Sequence, residues 1–183
     1  MPISTLDALP ALVLVDLQKG ITASIASASV LANAAALAAA FRARGLPVVL
    51  VNVDAGAPGR TEAPRPPVGP RPDDWTELAD ELDVQPTDVL VTKHTWGAFH
   101  GTVLHDELTA RGVTQVVLGG ISTSIGVETT ARQAFEHGYN VVLATDAMTD
   151  RDETMHSHAV AKVFPRLGET GTTAEVLELL AAR

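Results

Sequence analysis

Five short runs of apolar and β-branched residues recur along the chain, separated by longer segments with a different pattern. The runs cover residues 11–16, 46–54, 88–93, 114–120 and 139–147. Each run is almost continuously hydrophobic, which is typical of strands that are buried on both faces of a sheet. The pattern therefore predicts five buried strands.

Ala- and Leu-rich segments follow these runs in alternation and predict helices. They cover residues 25–44, 104–112, 125–137, 153–163 and 173–182. Alternating strands and helices indicate an α/β fold, a Rossmann-like three-layer α/β/α sandwich around a mainly parallel sheet. Right-handed crossovers place the carboxyl ends of all strands at one edge, where ligands bind near the point at which the strand order reverses.

A Pro-rich segment, residues 55–74, interrupts the alternation. It holds six of the 11 prolines together with Arg60, Arg65 and Arg71. Proline disfavours both helix and sheet ladders, so we expect a loop inserted into a single domain that spans residues 1–183. The loop has three interpretations: an exposed linker, an arm on a neighbouring subunit, or a rim over the active site.

Composition narrows the classes of function. The net charge is −9 and no Lys/Arg run is present, so we expect no nucleic-acid partner. No run approaches the ~18 apolar residues of a membrane span, and the short apolar run near the N-terminus lacks the basic start of a signal peptide. We therefore expect a cytoplasmic protein. An anionic substrate would need local cations, for which Lys93 and the arginines of the Pro-rich loop are the candidates.

Polar groups stand at the ends of three predicted strands. Asp16 follows ALVLV, Lys93 follows VLVT, and the Gly119–Ser124 turn follows QVVL. Asp16 and Lys93 could form an acid–base pair or a purely structural ion pair, since a neighbouring cation lowers a carboxyl pKa while burial raises it. We expect Thr123 or Ser124 to cap the helix near Ile125, whose first N–H groups would form an anion or oxyanion site.

Five motifs occur in order along nearly the whole chain: LVLVDLQ, VTKHTWGAFHGT, GGISTSIGVETTARQAFEHGY, VVLATDAMTD and TTAEVL. Together they resemble the isochorismatase-like (cysteine hydrolase) superfamily. The resemblance implies a six-stranded parallel sheet, a homo-oligomer and an Asp–Lys–Cys triad, with Asp16 and Lys93 as its first two members. It also implies a cis peptide bond at Ile121–Ser122.

The same resemblance suggests which residues contact a small-molecule substrate. The candidates are Gln18, Trp96, Phe99, Ile121, Ser122, Thr123 and Ile125. No cofactor is expected. No zinc is expected either, because Asp54 is followed by Ala-Gly-Ala and lacks the nearby histidine of the nicotinamidase-like metal site.

The chain departs from the triad at Gly126, which occupies the position of the nucleophile, and it contains no cysteine at all. Three hypotheses accommodate the missing thiol. The favoured one is vinyl-ether hydrolysis, as in the isochorismatases that also resemble this chain in having glycine there. Asp16 would then donate the proton, Lys93 would hold Asp16, Gln18 would bind substrate or water, and no covalent intermediate would form.

The second hypothesis is an amidohydrolase that uses activated water or a hydroxyl nucleophile, for which Ser122, Ser124 and Thr129 are the candidates. Such a hydroxyl needs a base within about 2.6–3.2 Å. The third hypothesis is a non-catalytic relative that binds a small molecule or acts as a scaffold, in which Asp16 and Lys93 persist as a structural pair.

Overall fold

A computed structural model describes residues 3–62 and 70–183 and contains one six-stranded sheet. All neighbouring strands are parallel, in the order β3-β2-β1-β4-β5-β6. The strands are β1 Pro10–Val15, β2 Val48–Val53, β3 Val89–Lys93, β4 Gln115–Ile121, β5 Asn140–Thr149 and β6 Glu169–Gly171. The expected α/β fold with a six-stranded parallel sheet is confirmed, and β6 is the strand that the hydrophobic pattern missed, since it has only three residues.

The described residues form six α-helices around the sheet. They are α1 Lys19–Thr22, α2 Ala28–Arg42, α3 Leu104–Ala110, α4 Glu128–Glu136, α5 Glu153–His158 and α6 Thr173–Ala181. Two predicted helices are partly π-helical: α4 is preceded by a π segment at Thr123–Val127, and α5 continues into another at Ala159–Val163. None of the helices in the described part of the chain is long and apolar enough to cross a membrane.

The side chains of β1 alternate between two hydrophobic clusters, one on each face of the sheet. Val13 and Val15 belong to the cluster that includes residues of α3 and α4. Leu12 and Leu14 belong to the cluster that includes residues of α2 and α6. Every residue of β1 is buried, which explains its unbroken apolar sequence and places β1 at the centre of a three-layer sandwich.

The strand order reverses between β1 and β4, because the chain passes to β2 and β3 on one side and to β5 and β6 on the other. The two strands are closely apposed at their carboxyl ends. Gly120 has φ +130°, and a Cβ there would lie 2.1 Å from the Val15 carbonyl oxygen, so only glycine fits. This reversal point is where an open α/β sheet provides a crevice for ligands.

Residues 63–69 of the Pro-rich segment, Arg65 among them, lie outside the described part of the chain. The flanks 55–62 and 70–74 contain no helix or strand, as expected. The second flank is held near α1: the Arg71 guanidinium lies 4.0 Å from the centre of the Trp75 ring. That ring covers Gly20, where a Cβ would lie 2.1 Å from it.

Candidate active site

A cavity of about 170 Å³ opens at the carboxyl ends of β1, β3 and β4. We call it the Asp16 cavity. Its lining includes the residues at all three expected triad positions, namely Asp16, Lys93 and Gly126. The other lining residues are Ile21, Val53, Thr95, Trp96, Ile121, Ser122, Ile125 and Arg151.

Asp16 and Lys93 form a buried ion pair inside this cavity. Lys93 Nζ lies 2.8 Å from Asp16 Oδ2, and the two side chains are only 2% and 7% exposed, respectively. Lys93 Nζ also donates to the Thr95 carbonyl oxygen at 3.0 Å. Asp16 Oδ1, by contrast, has no hydrogen-bond partner among the described residues. One carboxyl oxygen is therefore held by the lysine and the other is unoccupied.

Burial decides the protonation of Asp16. Loss of hydration raises its pKa from the ordinary 3.8 to about 6, and the opposing effects of the Lys93 charge and hydrogen bond are smaller. With a pKa near 6, about a tenth of the carboxyl groups are protonated at pH 7. The lysine therefore does not keep Asp16 fully ionised, and a proton donor exists near neutral pH.

Gly126 borders the cavity beside the carboxyl group. A Cβ at this position would lie 3.2 Å from both Asp16 Oδ2 and Val15 Cγ1. The Ile121–Ser122 peptide bond at the end of β4 is cis, which confirms the expectation for that bond. The sequence register is therefore consistent: position 126 adjoins the Asp–Lys pair, but it carries no side chain that could attack a substrate.

The prediction that Thr123 or Ser124 caps the helix near Ile125 is wrong. The residue before the π segment is Ser122, and no side chain caps that segment. Instead, Asp150 Oδ2 accepts hydrogen bonds from both the N–H and the hydroxyl of Ser124, each at 2.8 Å. The buried hydroxyl of Thr123 lies 2.8 Å from His156 Nδ1. The expected anion site at this helix start thus receives a carboxylate of the protein itself, and Thr123 does not line the cavity.

Gln18 also differs from its expected role. Its side chain is fully buried and does not line the cavity. Gln18 Nε2 donates to the carbonyl oxygens of Val53 and Trp75 at 3.1 and 3.0 Å, and Oε1 accepts from the Val53 N–H at 2.7 Å. Its amide is therefore committed to joining β1, β2 and the segment around Trp75, and the prediction that it contacts substrate is revised.

The two aromatic candidates, Trp96 and Phe99, lie in different environments. Trp96 is 56% exposed and lines the cavity, as predicted. Phe99 belongs to the core, with its ring centre 5.1 Å from that of His137 and 5.8 Å from that of Tyr139. Phe99 therefore packs in the core and does not line the Asp16 cavity.

The structure adds one charged residue that the sequence interpretation missed, Arg151. It follows the carboxyl end of β5 at Thr149, and it lines the Asp16 cavity. The rule that identified Asp16 and Lys93, namely a polar residue at the end of a buried strand, applies to Arg151 as well. The predicted strand ended at residue 147, two residues before the observed end of β5 at Thr149, so the rule was not applied to Arg151.

Of the candidate hydroxyl nucleophiles, Ser124 alone is hydrogen-bonded to a carboxylate in the described residues, Asp150 at 2.8 Å, but neither Ser124 nor Thr129 lines the Asp16 cavity. Ser122 lines the cavity, but Asp16 Oδ1 is unpartnered within residues 3–62 and 70–183. The hydroxyl of Ser124 is directed to Asp150. The described residues also contain no group of three or more His, Asp or Glu side chains placed to bind a metal ion.

Comparisons with known proteins identify the family of the chain. The family model of the isochorismatase domain matches residues 10–175. The uncharacterized isochorismatase family protein YwoC of Bacillus subtilis (strain 168) is 43% identical over 174 residues, which cover 92% of each protein. Ureidoacrylate amidohydrolase RutB of Methylobacterium radiotolerans is 32% identical over 156 residues, 73% of this chain and 60% of that protein.

Among solved structures, an isochorismatase family protein from Burkholderia thailandensis matches with a TM-score of 0.91 and 42% identity, covering 97% of this chain and 98% of that one. Both the family model and a 43% identical relative extend over nearly the whole chain. The chain therefore belongs to the isochorismatase family of hydrolases.

Proposed function

We propose that this protein is a cofactor-free hydrolase of small vinyl ethers of the isochorismate type, in which Asp16 donates a proton and no covalent intermediate forms. The observation that carries the proposal is the state of Asp16: a buried carboxyl group with a pKa of about 6, one unoccupied oxygen, and glycine at the adjacent position 126. This combination favours acid catalysis over nucleophilic attack.

In the proposed reaction, Asp16 transfers its proton to the terminal methylene carbon of the vinyl ether. The Asp16 carboxyl group carries this proton; its Oδ2 adjoins Gly126 and also accepts from Lys93, whereas Oδ1 is buried without a partner in the described residues. The methylene becomes a methyl group, and the carbon bearing the ether oxygen becomes an oxocarbenium ion. General acid catalysis of this kind contributes about 10²- to 10⁴-fold to the rate.

Water completes the reaction. It adds to the oxocarbenium carbon and returns a proton to the Asp16 carboxylate, and the resulting hemiketal releases the alcohol and a ketone. One water is consumed for each vinyl ether cleaved, and Asp16 ends in its starting protonation state. Because Gly126 has no side chain, its backbone borders the cavity directly beside Asp16.

Lys93 has an electrostatic role in this scheme. When Asp16 has given up its proton, its carboxylate is buried, and the ammonium group at 2.8 Å compensates that charge. Without a partner, a buried charge costs several kcal/mol. Lys93 therefore stabilises the intermediate in which Asp16 is ionised.

Amide hydrolysis is the second candidate, because the relative RutB is a ureidoacrylate amidohydrolase. Amide hydrolysis through an acyl-enzyme needs a nucleophile, and the chain has no cysteine. Ser124 and its partner Asp150 do not line the Asp16 cavity, so the route that this cavity supports is water activated by ionised Asp16, in which the carboxyl group acts as a base and not as an acid.

The test is a comparison of substrates. Purified protein is incubated with isochorismate, with the minimal vinyl ether 2-ethoxyacrylate, and with a panel of amides that includes ureidoacrylate and nicotinamide. The proposal predicts pyruvate release from the two vinyl ethers and no ammonia from the amides. Ammonia release without pyruvate would replace it with the amidohydrolase, and binding without any turnover would favour a non-catalytic relative.

Asp16→Asn is the control for contaminating activity. Asp16 has φ +57°, a left-handed conformation that Asn tolerates far better than Ala does. The variant therefore keeps the backbone while removing the acidic proton.

A further inference from the structure

Among the charged residues that line the Asp16 cavity, Arg151 has no counter-ion in the described part of the chain. Four other arginines, Arg42, Arg71, Arg111 and Arg132, lie in ion pairs with carboxylates. Arg151 forms no such pair within the described residues. The hydrogen bond of its guanidinium runs from Nη2 to the hydroxyl of Ser24, at 2.8 Å.

The lining of the cavity is positive when this residue is counted. Asp16 and Lys93 neutralise each other, and the remaining lining residues apart from Arg151 carry no charge. The lining therefore has a net charge of +1, although the chain as a whole carries −9. In an acidic protein, the overall charge repels anions, whereas a positive cavity attracts them. Anionic ligands are therefore expected to bind at this cavity and not elsewhere on the surface.

We propose that Arg151 is the carboxylate-binding group of this site, and that the substrates of the protein are therefore compact carboxylates held by their carboxylate group at Arg151. In an enolpyruvyl ether, this carboxylate is bonded to the carbon that bears the ether oxygen. Binding it at Arg151 places the neighbouring methylene carbon within the same small cavity as Asp16. The choice of an enolpyruvyl ether as the substrate rests on the proposed function, whereas the binding of a carboxylate at Arg151 does not.

The guanidinium is equipped for this task. It has five N–H donors in a planar fork that matches a carboxylate with two parallel hydrogen bonds. Ser24 uses one donor of Nη2 and leaves the others available. Because Ser24 follows α1, which carries the lining residue Ile21, the Arg151–Ser24 bond joins two segments that border the cavity. A substrate carboxylate would replace the serine hydroxyl with a stronger, charge-assisted partner.

The size of the cavity restricts the class further. Its volume of about 170 Å³ is below the ~300–1,000 Å³ of sites for drug-sized ligands. A bound carboxylate also adds negative charge near Asp16, which favours the protonated form of that residue. Substrate binding and acid catalysis would then reinforce each other.

Binding is tested without turnover, using the saturated analogue 2-ethoxypropanoate and its amide in NMR titrations at pH 7. The wild type is expected to bind the carboxylate more tightly than the amide. Arg151→Gln should weaken carboxylate binding by about 10- to 100-fold, as expected for hydrogen bonds between charged groups. It should leave amide binding unchanged, and Arg151→Lys should restore part of the affinity.

Two variants serve as matched controls. Arg166→Gln removes the same charge from an exposed position outside the cavity and should leave carboxylate binding unchanged. Ser24→Ala removes the partner of Arg151 without changing charge, and carboxylate binding should be unchanged or tighter. Equal binding of the carboxylate to wild type and Arg151→Gln, or no preference of the wild type for carboxylate over amide, would overturn the proposal.

Turnover separates this inference from the proposed function. If the carboxylate binds through Arg151 but no vinyl ether is hydrolysed, the inference stands and the proposed reaction fails. If 2-ethoxyacrylate and its ethyl ester are hydrolysed equally well by both the wild type and Arg151→Gln, the reaction stands and the inference fails.

Discussion

The pH dependence of turnover distinguishes an acid from a base at Asp16. With a pKa of about 6, the protonated fraction is about one half at pH 6, a tenth at pH 7 and a hundredth at pH 8. If Asp16 donates the proton, kcat/KM for a vinyl ether follows this fraction. We therefore expect a plateau below pH 5 and a tenfold fall for each pH unit above 7.

The assay is pyruvate release from 2-ethoxyacrylate, followed between pH 4.5 and 8.5 and corrected for the uncatalysed hydrolysis. A carbon-13 NMR titration of the Asp16 carboxyl group gives its pKa independently. The two midpoints should agree near 6. A rate that rises with pH through this range would mean that ionised Asp16 acts as a base, and it would refute the acid mechanism.

The variant Lys93→Met tests how the lysine affects the pKa of Asp16 in the same NMR titration. The lysine opposes the effect of burial on the pKa of Asp16, so its loss should move the carboxyl pKa upward and shift the NMR midpoint above 6. A midpoint that stays at 6 or falls would contradict the assigned balance between burial and the lysine charge.

Three further substitutions test the site. Gly126→Cys should place a thiol in the cavity that Lys93 also lines, and the lysine charge should lower the thiol pKa. Iodoacetamide should then alkylate this thiol at pH 6 faster than it alkylates Ala182→Cys, an exposed control; equal rates would contradict the assigned register. Asp150→Ala leaves the Ser124 N–H and hydroxyl without their acceptor and should lower the free energy of unfolding by about 1–3 kcal/mol in urea titrations. Asp150→Asn should be less affected, and an unchanged urea midpoint for Asp150→Ala would mean that these hydrogen bonds contribute nothing to stability. Phe99→Leu should reduce stability by about 1–3 kcal/mol but leave KM unchanged, whereas a changed KM would place the ring in the site wall.

The alternation of apolar runs and helical segments was sufficient to predict the α/β fold class, and the strand ends suggested the Asp16–Lys93 pair, whereas the sixth strand came only from the resemblance. Buried parallel strands have continuous apolar sequences, and their carboxyl ends meet at one edge, so residues 77 positions apart came together at 2.8 Å. The position of Gly126 beside this pair came from the resemblance, which fixed the register of the turn.

Contacts between distant segments could not be predicted in the same way. Ser124 and Thr123 are residue types typical of helix caps, but their partners are Asp150, 26 residues further on after β5, and His156, 33 residues further on in α5. Gln18 lies only two residues beyond Asp16, yet its amide faces the backbone of β2. Local sequence predicts which residues reach the edge of the sheet, but not the direction in which each side chain is turned.

The most direct test of the central claim is hydrolysis of 2-ethoxyacrylate in D₂O by wild type and Asp16→Asn, with the pyruvate trapped as it forms. The account predicts one deuterium in the methyl group of each product molecule and a rate that is about 10²- to 10⁴-fold lower for the variant. Folding of the variant is checked by its thermal unfolding. An Asp16→Asn rate equal to that of the wild type, or a wild type that releases no pyruvate, would contradict the account.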